Sequence, residues 1–358
     1  MDDLTTLGWD DRLSEEFEQY RPDGLIPGRV AVQHRGAWDV LTELGELRVD
    51  AAGRLRHDAA NVAELPVVGD WVAIAARSDE SGGTIHAVLP RRTKVSRKTA
   101  WQATEEQVLV ANVDVIFLVT SVNEDLNPRR LERYLTLAWE SGAQPVFILT
   151  KADLVDDIAP AAAIVESVAI GVPVIPVSSV TGGGVKEVRA YLPAGVTGAF
   201  IGSSGVGKST LVNSLAGAEL LETQEIREDG RGRHTTVRRE LIVLPGGGLI
   251  VDTPGMRELQ LWDADDGLEE AFDDVTSLFA HCRFSDCRHD SEPGCAVRAA
   301  LADGTLATGR WESYLTLESE LQRLERRQDK RLQAEEKRKW KARGIEAREN
   351  IRLKGNEG

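Results

Sequence analysis

Only three of the 358 residues are cysteine, an odd count too small for a disulfide framework. No apolar run approaches the length that a membrane helix needs. The opening residues Met1-Asp2-Asp3 lack the basic and apolar regions of a signal peptide. These absences lead to the expectation of a cytoplasmic protein with no membrane partner. Positive charge is also short: 43 Lys and Arg face 58 Asp and Glu, a formal net charge of −15. Taken over the whole chain, that balance disfavours a nucleic-acid partner. The deficit is uneven, however. From residue 321 to 358, 13 Lys and Arg stand against 7 Asp and Glu, so a basic end sits on an acidic body and is compatible with local phosphate contacts. The length leaves room for two or three domains and a sizeable core.

One stretch organises the chain: Gly202-Ser203-Ser204-Gly205-Val206-Gly207-Lys208-Ser209-Thr210, a full match to G-x-x-x-x-G-K-[ST]. A strand-like run, Val196 to Ile201, precedes it, and a helical pattern over Leu211 to Ala216 follows. A triphosphate must be met by several backbone N–H groups at once, and only a loop poor in Cβ atoms wraps that closely. The helix start adds the positive end of its dipole. Lys208 is expected against the β and γ oxygens, and the Ser209 hydroxyl on Mg²⁺. The competing reading is a glycine-rich turn that mimics the pattern.

The base is read elsewhere. A buried-strand run, Val146 to Leu149, ends in Thr150-Lys151-Ala152-Asp153, which fits [NT]-K-x-D. The Asp153 carboxylate accepts from guanine N1–H and the N2 amino group, and adenine offers no donor at those positions. The Lys151 stem is expected over the purine. A second strand, Val172 to Val177, ends in Ser178-Ser179, where a backbone contact to the guanine carbonyl is expected. A third, Gly248 to Val251, ends in Asp252-Thr253-Pro254-Gly255. There Asp252 would hold Mg²⁺ through water, and the Gly255 N–H would sense the γ-phosphate. The nucleotide is predicted to be GTP, with GDP left after hydrolysis.

The order of these motifs is unusual. Thr150–Asp153 and Ser178-Ser179 come before the phosphate loop and Asp252–Gly255 comes last, which is a circular permutation. At this point the sequence resembles the bacterial ribosome-small-subunit-dependent GTPase A family. The resemblance covers nearly the whole chain. It rests on the permuted order, on Pro66-Val67-Val68-Gly69-Asp70-Trp71-Val72, on Gly232-Arg233-His234-Thr235-Thr236, and on Cys282 to Cys295. It implies a multidomain protein: an OB-fold β-barrel, a circularly permuted α/β P-loop GTPase core and a small α-helical zinc domain. It also implies a role in late maturation of the 30S ribosomal subunit, with 16S rRNA as partner. The chain is read as a monomer.

The expected division is a flexible N-terminal arm over 1–24, the OB-fold over 25–98, the GTPase domain over 99–262, the zinc domain over 263–332 and a basic tail over 333–358. Short alternating runs at Arg29–His34, Trp38–Leu41, Glu46–Val49, Trp71–Ala75 and Thr84–Leu89 suit a small barrel, OB-like or SH3-like, and a mere spacer role stays open. Val113–Val119 reads as a buried strand and Pro128–Trp139 as the helix after it, so a mostly parallel sheet with helices on both faces is expected. Glu222 to Arg239 sits where the first switch belongs. There the resemblance implies Thr236 as Mg²⁺ ligand, with Thr235 the alternative.

Met256 follows Gly255, where many GTPases carry a glutamine that orients water. Intrinsic hydrolysis is therefore expected to be slow, completed by a partner or by another residue. The resemblance offers His234 as that catalytic residue; the alternative is a surface histidine contacting RNA. Cys282, Cys287, His289 and Cys295 supply four ligands, enough to close a tetrahedral shell with no open position, so a structural Zn²⁺ is expected. Three buried or redox-active thiols are the competing reading. From Trp311 to about Lys341 the pattern is helical, with Leu315, Leu321, Leu324 and Leu332 expected on one face, and Lys337 to Lys341 is basic around Trp340. The functional expectation is a GTPase that binds the maturing 30S subunit and leaves after hydrolysis. The alternative is a nucleotide-gated RNA- or protein-binding module with little turnover.

Overall fold

A computed structural model describes residues 3–59, 61–77, 82–98, 106–123, 126–203, 205–218, 240–252, 268–269, 271–319 and 321–322. Among the described residues, thirteen strands run in chain order: β1 Ile26–Gln33, β2 Ala37–Thr42, β3 Gly45–Ala51, β4 Trp71–Ala76, β5 Gly83–Val88, β6 Lys94–Lys98, β7 Glu106–Ala111, β8 Val115–Ser121, β9 Gln144–Thr150, β10 Val174–Pro176, β11 Thr197–Gly202, β12 Glu240–Val243 and β13 Leu249–Asp252. The helices used below are α1 Asp11–Phe17, α2 Gly53–Asp58, α3 Pro128–Glu140, α4 Ala159–Glu166, α5 Val185–Ala190, α6 Lys208–Ala216, α7 Asp273–Thr276 and α8 Ala296–Asp303.

The first five strands close on themselves in the order β1-β2-β3-β5-β4, with β4 returning to pair with β1. That is the OB-like order. Its interior is filled by Val30, Trp38, Val40, Leu47, Val49, Val72, Ile74 and Ile85, one residue in two along each strand, as a half-buried strand dictates.

The α/β core reads β10-β9-β8-β11-β13-β12, parallel except for the antiparallel β12. Its central strands β8, β9 and β11 are buried almost throughout and mostly apolar because both faces are covered. Along β8, Ile116 and Leu118 face the layer holding α3 and α4, while Val115, Phe117 and Val119 face the layer holding α5 and α6. Strand β12 was not legible as a strand in the sequence. It joins the core to the barrel, since Glu240 pairs with Val32 of β1.

Three sequence expectations are corrected. The arm over 1–24, expected to be flexible, is folded from Leu4 onward. Leu4, Leu7, Leu13 and Phe17 are buried, and Trp9 packs edge-on to Trp71 at 4.9 Å. A few large apolar side chains hold it down, although the stretch is acidic overall. A boundary at residue 98 cuts the β6/β7 hairpin, whose register runs from Lys94↔Ala111 to Lys98↔Glu106. On the helix over residues 308–319, the buried face is Tyr314 and Leu317, continued by Leu321, while Leu315 is 41% exposed. Leucines six residues apart do not share a helical face.

The C-terminal segment is fastened to the core by Arg310. Its guanidinium donates to Glu132 on α3 at 3.0 Å, to Asp274 on α7 at 2.8 and 3.1 Å and to the Ala271 carbonyl at 2.6 Å. It also lies 4.0 Å over the Phe272 ring. Glu132 is 3% exposed, so Arg310→Met would strand a buried carboxylate. The expected loss is about 3–5 kcal/mol of full-chain stability in guanidinium titration, because removing one partner of a buried pair exposes the desolvation cost of the other. A loss below 1 kcal/mol would show the pair to be dispensable.

Candidate functional site

The parallel strands carry the predicted motifs to one edge of the sheet. Register places Gly202 beside Val119, Thr150 beside Ser121 and Pro176 beside Leu149, so β8, β9, β10 and β11 end at a common level. Thr150–Asp153, Ser178-Ser179 and the phosphate loop all begin there, and Asp252 closes β13 on the same edge. Ligands in open α/β sheets bind at such carboxyl ends.

Within the phosphate loop, a Cβ on Gly202 would lie 2.2 Å from the Val119 carbonyl, so no side chain fits. Gly205 and Gly207 take φ of +79° and +96°, the left-handed region that favours glycine. Gly207 caps α6, which starts at Lys208 and holds Ser209 and Thr210 in its first turn. The Lys208 ammonium donates to the Gly202 and Ser203 carbonyls at 2.7 and 2.6 Å, which holds the charge inside the curve of the loop. Val206 is buried. Its carbonyl lies 2.5 Å from the Thr150 hydroxyl, which is also 3.0 Å from the Thr120 carbonyl. One hydroxyl proton serves both acceptors in turn and braces the phosphate loop against the base-reading loop. Sequence reasoning placed Thr150 in the site without seeing this brace; its signal is a hydroxyl at the first position of the motif.

On the base side, Lys151 adopts φ +59° and the Ala152 N–H donates to the Val177 carbonyl at 3.1 Å, which turns the loop back over β10. The Ser178 hydroxyl donates to Asp153 Oδ1 at 2.6 Å and accepts from the Thr181 N–H at 3.1 Å. Asp153 is exposed and oriented from one side only, which leaves acceptor capacity for two further donors. Ser179 follows in the same loop, half-buried.

The four metal-ligating candidates also converge. The donor atoms of Cys282, Cys287, His289 and Cys295 all lie within 4.8 Å of one another. His289 Nδ1 is 3.5 Å from the sulfurs of both Cys282 and Cys295. Tetrahedral bonding by nitrogen and sulfur to zinc implies separations of about 3.5–3.8 Å. The Ala296 N–H donates to the Cys282 sulfur at 3.4 Å, which suits a thiolate, and Phe279 stacks on the His289 ring at 4.3 Å and orients it. The cluster fits a structural metal site. Glu292, which no motif signalled, ties the ligand loop together. The N–H groups of Arg288, Asp290 and Ser291 donate to its carboxylate at 3.0 Å each and hold its pKa down to about 2, that of Arg288 contributing most.

Ser204, His234, Thr235, Thr236, Gly255, Met256 and the tail over 333–358 lie outside the described residues. So does the Asp252 side chain, whose backbone alone is placed.

Comparison with known proteins agrees with this geometry. Residues 88–262 match the family model described as RsgA GTPase. The chain is 46% identical to the small ribosomal subunit biogenesis GTPase RsgA of Opitutus terrae, over 97% of this chain and 98% of that one. It is also 46% identical to the protein of the same name from Streptomyces coelicolor, over 95% and 93%. Among solved structures, YjeQ from Thermotoga maritima superposes with a TM-score of 0.63 at 28% identity, covering 83% of this chain and 98% of that one. YloQ, described as a circularly permuted GTPase, gives 0.61 at 26%, covering 83% and 95%.

Proposed function

We propose that this chain, which belongs to the RsgA GTPase family, hydrolyses GTP while assisting maturation of the small ribosomal subunit. The observation that carries this reading is the convergence of Thr150–Asp153, Ser178 and the phosphate loop on one sheet edge, with an OB-like barrel paired directly to that sheet.

The residues divide the work. Asp153, held by Ser178, would read guanine, with Lys151 over the purine and the Ser178-Ser179 backbone at its carbonyl. Gly202 to Gly207 and the start of α6 would cradle the phosphates, with Lys208 at the β and γ oxygens. Ser209, Thr236 and Asp252 would hold Mg²⁺, which neutralises phosphate charge when bound. The Gly255 N–H would sense the γ-phosphate. Met256 offers no hydrogen bond to align water, so His234 or a group from the ribosomal particle would complete the site. The metal of the Cys282, Cys287, His289 and Cys295 cluster is read as Zn²⁺ from its three thiolates and one imidazole. The finer partner is read as 16S rRNA, met by the barrel and by the basic tail over 333–358, with the protein acting as a cytoplasmic monomer. The names of the relatives do not favour the alternative of a nucleotide-gated module with a non-ribosomal partner.

GTP hydrolysis by the purified protein, alone and with 30S, 50S or 70S particles, tests the proposal. Selective stimulation by 30S is expected, by about 10²-fold, the low end of what one positioned acid–base group contributes. Equal rates with every particle would sink the ribosomal reading.

A further inference from the structure

We propose that β1 is a yoke between the barrel and the nucleotide edge, and that Arg29 is its positioning residue. The inference rests on the GTPase reading above and extends it to how barrel and nucleotide act on each other.

Two contacts carry it. Arg29 projects from β1 into the junction and is 2% exposed. Its guanidinium donates to Thr197 Oγ1 at 2.8 Å and the Asn112 carbonyl at 3.0 Å, reaches the Gly69 carbonyl at 3.4 Å, and donates to the Leu7 carbonyl. The Trp71 ring lies 5.4 Å from it. Those acceptors come from four separate segments: the N-terminal fold, the Pro66–Val72 motif, the turn after β7 and the first residue of β11. All are neutral, and burial pulls the guanidinium pKa down to about 10, so the group stays charged at neutral pH. A buried cation must keep every acceptor in place, so the four segments are fixed relative to one another. The motif around Gly69 is built to the same end. Gly69 has φ +89°, and a Cβ there would lie 2.1 Å from the Ala111 carbonyl.

The second contact is made by the main chain. Val32 of β1 pairs with Glu240 of β12, and Glu240 pairs in turn with Asp252 of β13. A single row therefore runs from the barrel to the residue that ends β13. Strand β11, gripped by Arg29 at Thr197, ends in Gly202 of the phosphate loop. Two of the core strands that end at the nucleotide edge, β11 and β13, are thus tied to β1, one through a side chain and one through the β12 ladder. Any shift of β11 or β13 between nucleotide states bears on β1, and by reciprocity a partner that grips the barrel bears on the nucleotide.

The test uses the full chain with its metal, loaded in turn with GDP and a non-hydrolysable GTP analogue, and follows amide hydrogen exchange by mass spectrometry. In the native chain, protection over residues 26–33 is expected to differ between the two nucleotides by about fivefold or more, alongside residues 240–252. Thr197→Val removes the hydroxyl acceptor but keeps a β-branched side chain. It is expected to bind both nucleotides as the native chain does while losing most of the difference over 26–33. Arg29→Lys is expected to act the same way, since an ammonium cannot span four acceptors in the guanidinium's plane. Equal protection of 26–33 in both nucleotides, or an undiminished difference in Thr197→Val, would overturn the yoke. A parallel fall in nucleotide affinity in both variants would reduce Arg29 to a structural pin and overturn its positioning role. Failure of the native chain to bind either nucleotide would instead remove the GTPase reading itself.

Discussion

Asp153→Asn is expected to weaken GTP binding by about 10²–10³-fold, or 3–4 kcal/mol, while leaving the fold intact. The substitution puts an amide donor where guanine N1–H and N2–H both need an acceptor, and the charge-assisted share of each bond is lost. The Ser178 hydroxyl that now donates to Oδ1 at 2.6 Å retains an oxygen partner, so the loop keeps its shape. Xanthine carries a carbonyl in place of the guanine amino group, so affinity for xanthosine triphosphate should rise as affinity for GTP falls. Titration of both nucleotides by fluorescence checks this. Loss of affinity for both would show that the loop had been disrupted. An unchanged GTP affinity would remove Asp153 from base recognition.

Stripping the metal, by chelator or by Cys295→Ser, is expected to unfold residues 279–303 and leave the nucleotide edge standing. Four ligand atoms within 4.8 Å, in a stretch whose largest buried apolar residues are Cys295, Val297 and Ala300, leave little else to hold it. Structural Zn²⁺ in zinc-finger peptides contributes about 10–16 kcal/mol at neutral pH, and a metal on that scale outweighs what so short a segment draws from packing. Trypsin should then cut at Arg283, Arg288 and Arg298, and the near-ultraviolet dichroism of Trp311, which packs edge-on to Phe279 and His289, should fade. GTP affinity should not move, because the metal cluster shares no residue with the phosphate or base loops. Identical digestion with and without chelator would show that the metal plays no structural part.

The central strands were legible because burial on both faces writes them as largely apolar runs: Val146 to Leu149 falls within β9, and Val196 to Ile201 overlaps β11 from Thr197 onward. The phosphate loop was legible because its chemistry permits few alternatives at Gly202, Gly207 and Lys208. Strand β12 was not, since four residues following a long polar stretch give no period to read. The N-terminal fold was missed because the i,i+3 pair Leu4/Leu7 and the i,i+4 pair Leu13/Phe17 are too short to mark a packed element in an acidic stretch; they are buried by a surface, centred on Trp71, that is distant in sequence. The same holds for Arg29 and Arg310. A lone arginine in a sequence reads as surface, and only the convergence of Leu7, Gly69, Asn112 and Thr197 in one case, and of Glu132 and Asp274 in the other, reveals it as buried. Long-range polar contacts have no local signature.

The pairing of β1 with β12 also bears on solubility. In the core taken alone, β12 would be a terminal strand whose unpaired N–H and C=O groups invite another chain to add on. The barrel meets that strand at Glu240, while at the far end β10 is three residues long and closes on Pro176, which has no N–H to offer. Both flanks of the sheet are thereby blunted against edge-to-edge aggregation. A GTPase core cut free of its barrel would keep its nucleotide loops but gain an open flank at β12.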